Sequence, residues 1–156
     1  MIRIHFTRKE NLHELTQRLL SEELGEPAII LRTPEGKPYI EGDKIYFSLS
    51  HSGKKGVVAI YESPVGVDLE YIKNRDYPSV LSRFTARERE EITSREDFIR
   101  HWTAKEAFIK MRGCTLASAL RFTEYFGGRI YFKGEKQSCE VTHYKLGKTG
   151  ILAICR

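Results

Sequence analysis

The stretch GVDLE, residues 66–70, sets two carboxylates, Asp68 and Glu70, two positions apart in a run of strand-forming residues. Strand alternation sends both to one face and sends Val65, Val67 and Leu69 to the other, so the apolar set meets a core and the acidic pair a surface or cleft. Carboxylates held close together repel, and a hard divalent cation such as Mg²⁺ relieves that repulsion while leaving coordination sites for phosphate oxygens. A solvated polar strand face is the ordinary alternative. A second charged group lies in FIRHWTAKEAFIKMRG, residues 98–113. Phe98, Trp102 and Ile109 recur at helical spacing, yet Lys105 and Glu106 share their stripe, and Lys110 follows Glu106 by four. A surface ion pair accounts for Glu106 and Lys110 taken alone. It does not account for Trp102, Lys105, Glu106 and Ile109 falling in one narrow stripe. A carboxylate and an ammonium on the edge of an apolar stripe can instead serve a phosphate and its metal.

A third group, FSLSHSG at 47–53, supplies Ser48, Ser50, His51 and Ser52 at a strand end, with Lys54 and Lys55 next: several donors for an anion. There is no G-x-S-x-G elbow, P-loop or G-x-G-x-x-G fingerprint, and the histidines lack zinc spacing. Phosphate chemistry here must rest on metal and side chains.

The elements that position these groups read as follows. Thr7 and Glu10 have capping-box spacing, and Leu12, Leu15, Leu19 and Leu20 form an apolar stripe ending at Gly25, which predicts a first helix over about residues 8–24. AIILR, KPYIE, KIYFSLS, GVVAIYE and VGVDLE predict short strands, parted by the turn-like TPEGKP, EGDK and HSGKKG. Thr85 with Glu88 predicts a second capping box, Ser94 with Asp97 a further N-cap, and Gly113 a helix C-cap. RFTEYF, GRIYFKG, QSCEVTHYKL and TGILAICR return to strand. Helix and strand in blocks give an α+β fold. SHSGKKGVVAIY and THYKLGKTGILAIC share a faint repeat, from a hydroxyl-His pair through Lys and Gly to Ala-Ile; chance is the competing explanation.

At 156 residues and 40% hydrophobic, the chain suits one well-cored domain or two small halves packed together. The N-terminus carries charge from its third residue and has no apolar leader, and the aliphatic runs are strand-sized, so a soluble, cytoplasmic protein without a membrane span is expected. Cys114, Cys139 and Cys155 are odd in number and widely spaced, which predicts reduced core thiols. A net charge of +5 favours an anionic partner.

In the order S-H-S, then G-V-D-x-E, then W-T-x-K-E-A-x-x-K, these motifs resemble those of the 4′-phosphopantetheinyl transferases, specifically the single-chain type that activates peptide and polyketide synthetase carrier domains. GKP at 36–38 resembles that type's upstream motif. The resemblance implies two pseudo-symmetric α+β halves, 1–63 and 64–156, with the site in the cleft between them. It implies transfer of the phosphopantetheine arm of coenzyme A to a serine of an acidic acyl or peptidyl carrier protein, releasing 3′,5′-ADP. Asp68, Glu70 and Glu106 would hold Mg²⁺, with Mn²⁺ as a substitute, and Glu106 would be the base. Lys110 would steady the pyrophosphate, Lys105 would support the site, and Lys37, Pro38, Ser50 and His51 would hold the nucleotide. Such chains usually carry a longer segment before the first helix, with basic residues for the 3′-phosphate. The first half is therefore expected to be shortened, with Arg8 and Lys9 as substitutes. GKP and SHS upstream of GVDLE argue for a self-contained site, hence a monomer, with a dimer as the alternative. The competing readings are a pseudoenzyme that binds coenzyme A or a carrier without turnover, and a basic nucleic-acid-binding module using aromatics such as Tyr71, Tyr77, Phe84 and Tyr125. The second gives no reason for three converging carboxylates.

Overall fold

The computed structural model describes residues 1–42, 45–72 and 78–156, so Asp43 and Lys44 of the EGDK turn, and Tyr77, lie outside the described residues. The N-terminus departs from expectation. Arg3–Arg8 is a strand, β1, not the start of a helix. Ile2, Ile4 and Phe6 alternate with Arg3, His5 and Thr7, and the interior strand Lys55–Tyr61 (β5) takes β1 as its second partner, from Arg3 opposite Ile60 to Arg8 opposite Lys55. Local capping geometry yields to a ladder of backbone hydrogen bonds. After a 3₁₀ turn at Lys9–Asn11, helix α1 runs over Leu12–Leu24 with no side-chain cap at Asn11, and ends on left-handed Gly25.

The other elements follow in order. Ile30–Arg32 (β2) and Pro38–Ile40 (β3) form a small hairpin; Tyr46–Ser52 (β4) pairs with β5; Gly66–Tyr71 is β6. Short helices Pro78–Leu81 (α2) and Ala86–Glu91 (α3) lead to the long helix Arg95–Arg112 (α4) and to Leu116–Ala119 (α5). Thr123–Phe126 (β7), Arg129–Phe132 (β8) and Glu135–Lys136 (β9) make a meander, and Val141–Leu146 (β10) pairs with Gly150–Cys155 (β11). The predicted caps form: Thr85 and Glu88 make both bonds of the box, Ser94 accepts from Asp97 N–H, and Gly113 closes α4 at φ 76°. All three cysteines are free. Among the described residues no helix is long and apolar enough to cross a membrane.

Two three-stranded sheets have the same plan, β1-β5-β4 and β6-β11-β10, each a strand, then a helix, then a hairpin whose second strand is central. Val57, Ala59, Val67, Leu69, Leu152 and Ile154 pack together between them. Val58 and Ile60 turn to the other side, against Leu12 and Leu20 of α1, while Ala153 and Cys155 pack with Ala104, Ala107 and Phe108 of α4. The faint repeat matches Ala59 with Ala153, yet Ala59 faces the inter-sheet core and Ala153 faces its helix. The topological repeat is present, but that stretch of sequence is one residue out of register with it.

The sheets meet along β4 and β6, where serines bridge the strands: Ser48 Oγ accepts from Val67 N–H at 3.0 Å and Ser50 Oγ from Leu69 N–H at 3.1 Å. Helix α4 presses directly on β6. A Cβ at Gly66 would overlap the Ala107 carbonyl oxygen, so the first residue of GVDLE has no side chain because the helix backbone occupies that space.

Candidate active site

Strand β6 presents Asp68 and Glu70 beside the serines of β4, and α4 brings Glu106 and Lys110 one turn apart to the same place. Lys110 Nζ donates to Asp68 Oδ1 at 2.6 Å and to Ser50 Oγ at 3.1 Å, and lies 3.9 Å from Glu106 Oε2. Ser50 Oγ in turn donates to Asp68 Oδ1 at 2.8 Å, and Ser52 Oγ to Glu70 Oε2 at 2.8 Å. Asp68 is 2% exposed, and its Oδ2 is buried without a hydrogen-bond partner. Burial, and then the Asp68 charge, push the Glu106 carboxyl up to about 8. A buried carboxylate oxygen with no donor beside a carboxyl that resists ionising is an environment that a cation would fit. Three carboxylates of hard oxygen suit a divalent ion such as Mg²⁺. Among the described residues, no three His, Cys, Asp or Glu side chains already form a metal-holding group; on Asp68 the Lys110 ammonium supplies the positive charge.

Two clefts with cationic residues in their walls share His13, and Lys110 lines the first. One, of about 310 Å³, is lined by His13, Arg32, Lys37, Pro38, Ser48 and Lys110. The other, of about 430 Å³, has Lys9, His13, His51 and Lys54 in its walls. His51 is exposed, and burial followed by the charges of Lys9 and Lys110 holds its pKa below the ordinary histidine value. Lys37 donates to the Met111 carbonyl at 2.8 Å, tying the β2–β3 hairpin to the C-terminal end of α4, where helix carbonyls lack partners. Burial lowers its pKa.

Two residues stand apart from this arrangement. Lys105 is 1% exposed and turns away from the clefts to Glu88, itself 0% exposed, at 3.1 Å and beneath the Phe84 ring. Its charge on the apolar stripe is therefore met by α3 rather than by the carboxylate group, and burial lowers its pKa against the pull of Glu88. Arg8 points outward, its side chain 80% exposed and 3.7 Å from Glu10. Sequence reasoning passed over His13, Arg32 and Glu88. Arg32 had a signal: the β2–β3 ladder sets it opposite Pro38, next to Lys37. For Glu88 the sequence shows a capping spacing alone, because one carboxylate serving a cap and a distant lysine leaves no local pattern.

Residues 64–155, which hold both carboxylate-bearing elements, match the 4′-phosphopantetheinyl transferase superfamily. The chain belongs to this superfamily. Similar proteins include the 4′-phosphopantetheinyl transferase psf-1 of Bacillus pumilus, 32% identical over 132 residues, which cover 77% of this chain and 57% of that protein. Sfp of Bacillus subtilis is 24% identical over 169 residues, covering 99% of this chain and 70% of Sfp. HetI of Nostoc is 38% identical over 96 residues, covering 53% of this chain and 40% of HetI. The chain thus spans little more than half the length of psf-1. In this superfamily member, the β6–α4 pairing joins the two acidic stretches, GVDLE and that of α4, and the β4–β6 seam adds the serines of FSLSHSG.

Proposed function

We propose that this chain transfers the 4′-phosphopantetheine arm of coenzyme A to a serine hydroxyl of an acyl or peptidyl carrier protein and releases 3′,5′-ADP. The observation that carries this reading is the convergence of Asp68, Ser50, Glu106 and Lys110, with Lys110 also lining the cleft that holds Arg32 and Lys37. Asp68, Glu70 and Glu106 would hold Mg²⁺ or Mn²⁺, which when bound supplies a Lewis acid for the pyrophosphate. Lys110, fixed by Ser50 and Asp68, meets the negative charge that grows on the leaving 3′,5′-ADP. Lys37, Pro38, Arg32 and His13 line the room for the nucleotide, and His51 holds phosphate from the neighbouring cleft. Glu106, one turn from Lys110 on α4, would accept the serine proton directly or through water.

The basic surplus suits an acidic carrier, and the equal plan of the two sheets supports two related halves, 1–63 and 64–156; the chain would act as one monomeric cytoplasmic unit. A nucleic-acid platform is not favoured. Phe84 is 3% exposed, and Tyr71 and Tyr125 are half-buried against packed clusters, so these aromatics offer no open stacking face. The test is mass spectrometry of an apo carrier domain incubated with the chain, coenzyme A and Mg²⁺. A phosphopantetheine mass increment on serine is expected, and an unmodified carrier across several carrier classes would sink the assignment.

A further inference from the structure

Two of the three cysteines meet at the C-terminal end of the chain. Val141, the first residue of β10, lies directly opposite Cys155 of β11. Glu140 and Arg156 then exchange both backbone hydrogen bonds, at 2.9 and 3.1 Å, so the antiparallel pairing runs one residue past the strand. Alternation puts Cys139 on the face of Val141, diagonally across from Cys155. Both cysteines pack into the cluster that holds Ala104, Ala107 and Phe108 of α4, and their thiols hydrogen-bond to each other. They differ in access: Cys155 is 0% exposed, whereas Cys139 is half-buried and open to solvent on one side.

The hydrogen bond from Cys155, aided by the Arg112 charge at the end of α4, holds the Cys139 thiol below its ordinary value against the effect of partial burial. The same bond, and then burial, push the Cys155 thiol up. An accessible thiolate is the form that oxidants attack, and a second thiol in contact with it turns the first oxidation product into a disulfide. We propose that Cys139 and Cys155 form a reversible oxidation site for hydrogen peroxide, with Cys139 as the attacking thiol and Cys155 as the resolving one. The Cys139 thiolate attacks one peroxide oxygen; the O–O bond breaks, hydroxide leaves and is protonated to water, and Cys139 becomes a sulfenic acid. Loss of the thiolate also removes the partner that kept the proton on Cys155. The Cys155 sulfur then attacks the Cys139 sulfur, the S–O bond breaks, and the departing hydroxide takes the Cys155 proton to form a second water. Cys155 also lies opposite Gly66, over which α4 rests, so the bridge fastens the C-terminal strand beside the seat of α4. Cys114, in the wall of the Lys37 cleft, is the internal comparison.

The test treats the full chain with hydrogen peroxide at neutral pH, blocks the remaining thiols with N-ethylmaleimide in denaturant, and maps the peptides by mass spectrometry without reduction. Free thiols should fall from three per chain to one, with the Cys139 peptide joined to the Cys155 peptide and Cys114 alkylated, and dithiothreitol should restore all three. In Cys155→Ala, Cys139 should instead accumulate as the sulfenic acid, trapped by dimedone. Cys139 and Cys155 both alkylated after the treatment, a bridge from either of them to Cys114, or Cys139 driven to the sulfinic acid while Cys155 stays free would each overturn the pair.

Discussion

Lys110 and His51 are assigned to the same ligand in different settings, and this separates their effects. Lys110 is held by Asp68 and Ser50 beside the carboxylates, whereas His51 is exposed at the rim of a neighbouring cleft. Lys110→Ala should chiefly lower kcat, because its partner charge develops during transfer; His51→Ala should chiefly raise KM, because the phosphate it meets is already charged in the ground state. Steady-state kinetics against coenzyme A decide this, and the reverse pattern would mean the roles are exchanged. The carboxylates form a unit of another kind. Single Ala substitutions at Asp68, Glu70 and Glu106 should each cost on the order of 10²-fold or more in turnover, with double variants little worse than singles. Near-normal turnover by Glu106→Ala at any Mg²⁺ concentration would remove α4 from the metal site.

At the scale of elements, the position of Glu106 depends on how α4 is seated, and two contacts seat it. One is the backbone contact over Gly66. The other is the buried Lys105–Glu88 pair, in which Glu88 also accepts from Thr85 N–H at 2.8 Å and Tyr125 N–H at 2.9 Å, joining α3, α4 and β7 through one carboxylate. A buried pair contributes little net stability relative to a well-packed apolar pair, yet breaking it strands a charge. Lys105→Ala should therefore destabilise the fold by about 3–5 kcal/mol in urea unfolding, and Lys105→Met with Glu88→Gln should recover part of that loss. If Lys105→Ala unfolds like the wild type, the pair is not what seats the helix.

The whole molecule should be acid-sensitive through His143 on the edge strand β10. Burial lowers its pKa to about 4, and its Nε2 donates to the Arg100 carbonyl of α4 at 2.9 Å. The unfolded chain takes up this proton near pH 6.5 and the fold only near 4, so the contribution is complete above 6.5, is lost as pH falls through that window, and is gone below 4. The loss is on the order of 3 kcal/mol. Urea midpoints measured from pH 7 to 4 should fall less steeply in His143→Gln than in the wild type; parallel curves would mean the ring titrates normally.

Much of this was legible in the residue string. Period-2 runs named most strands, Thr85, Ser94 and Gly113 marked helix ends, and GVDLE placed two carboxylates opposite an apolar face, because each of these is a property of a few neighbouring residues. The charged stripe on α4 was visible, but not its division: Lys105 and Glu106 are adjacent, and only the tertiary placement of Glu88 on one side and of β6 on the other sends one to Glu88 and the other toward Asp68. The first strand was hidden for the same reason. A capping-box spacing at Thr7 is a local preference, whereas β1 exists because β5, some fifty residues away, has an edge of backbone donors and acceptors to fill, and that requirement appears only once the chain has folded.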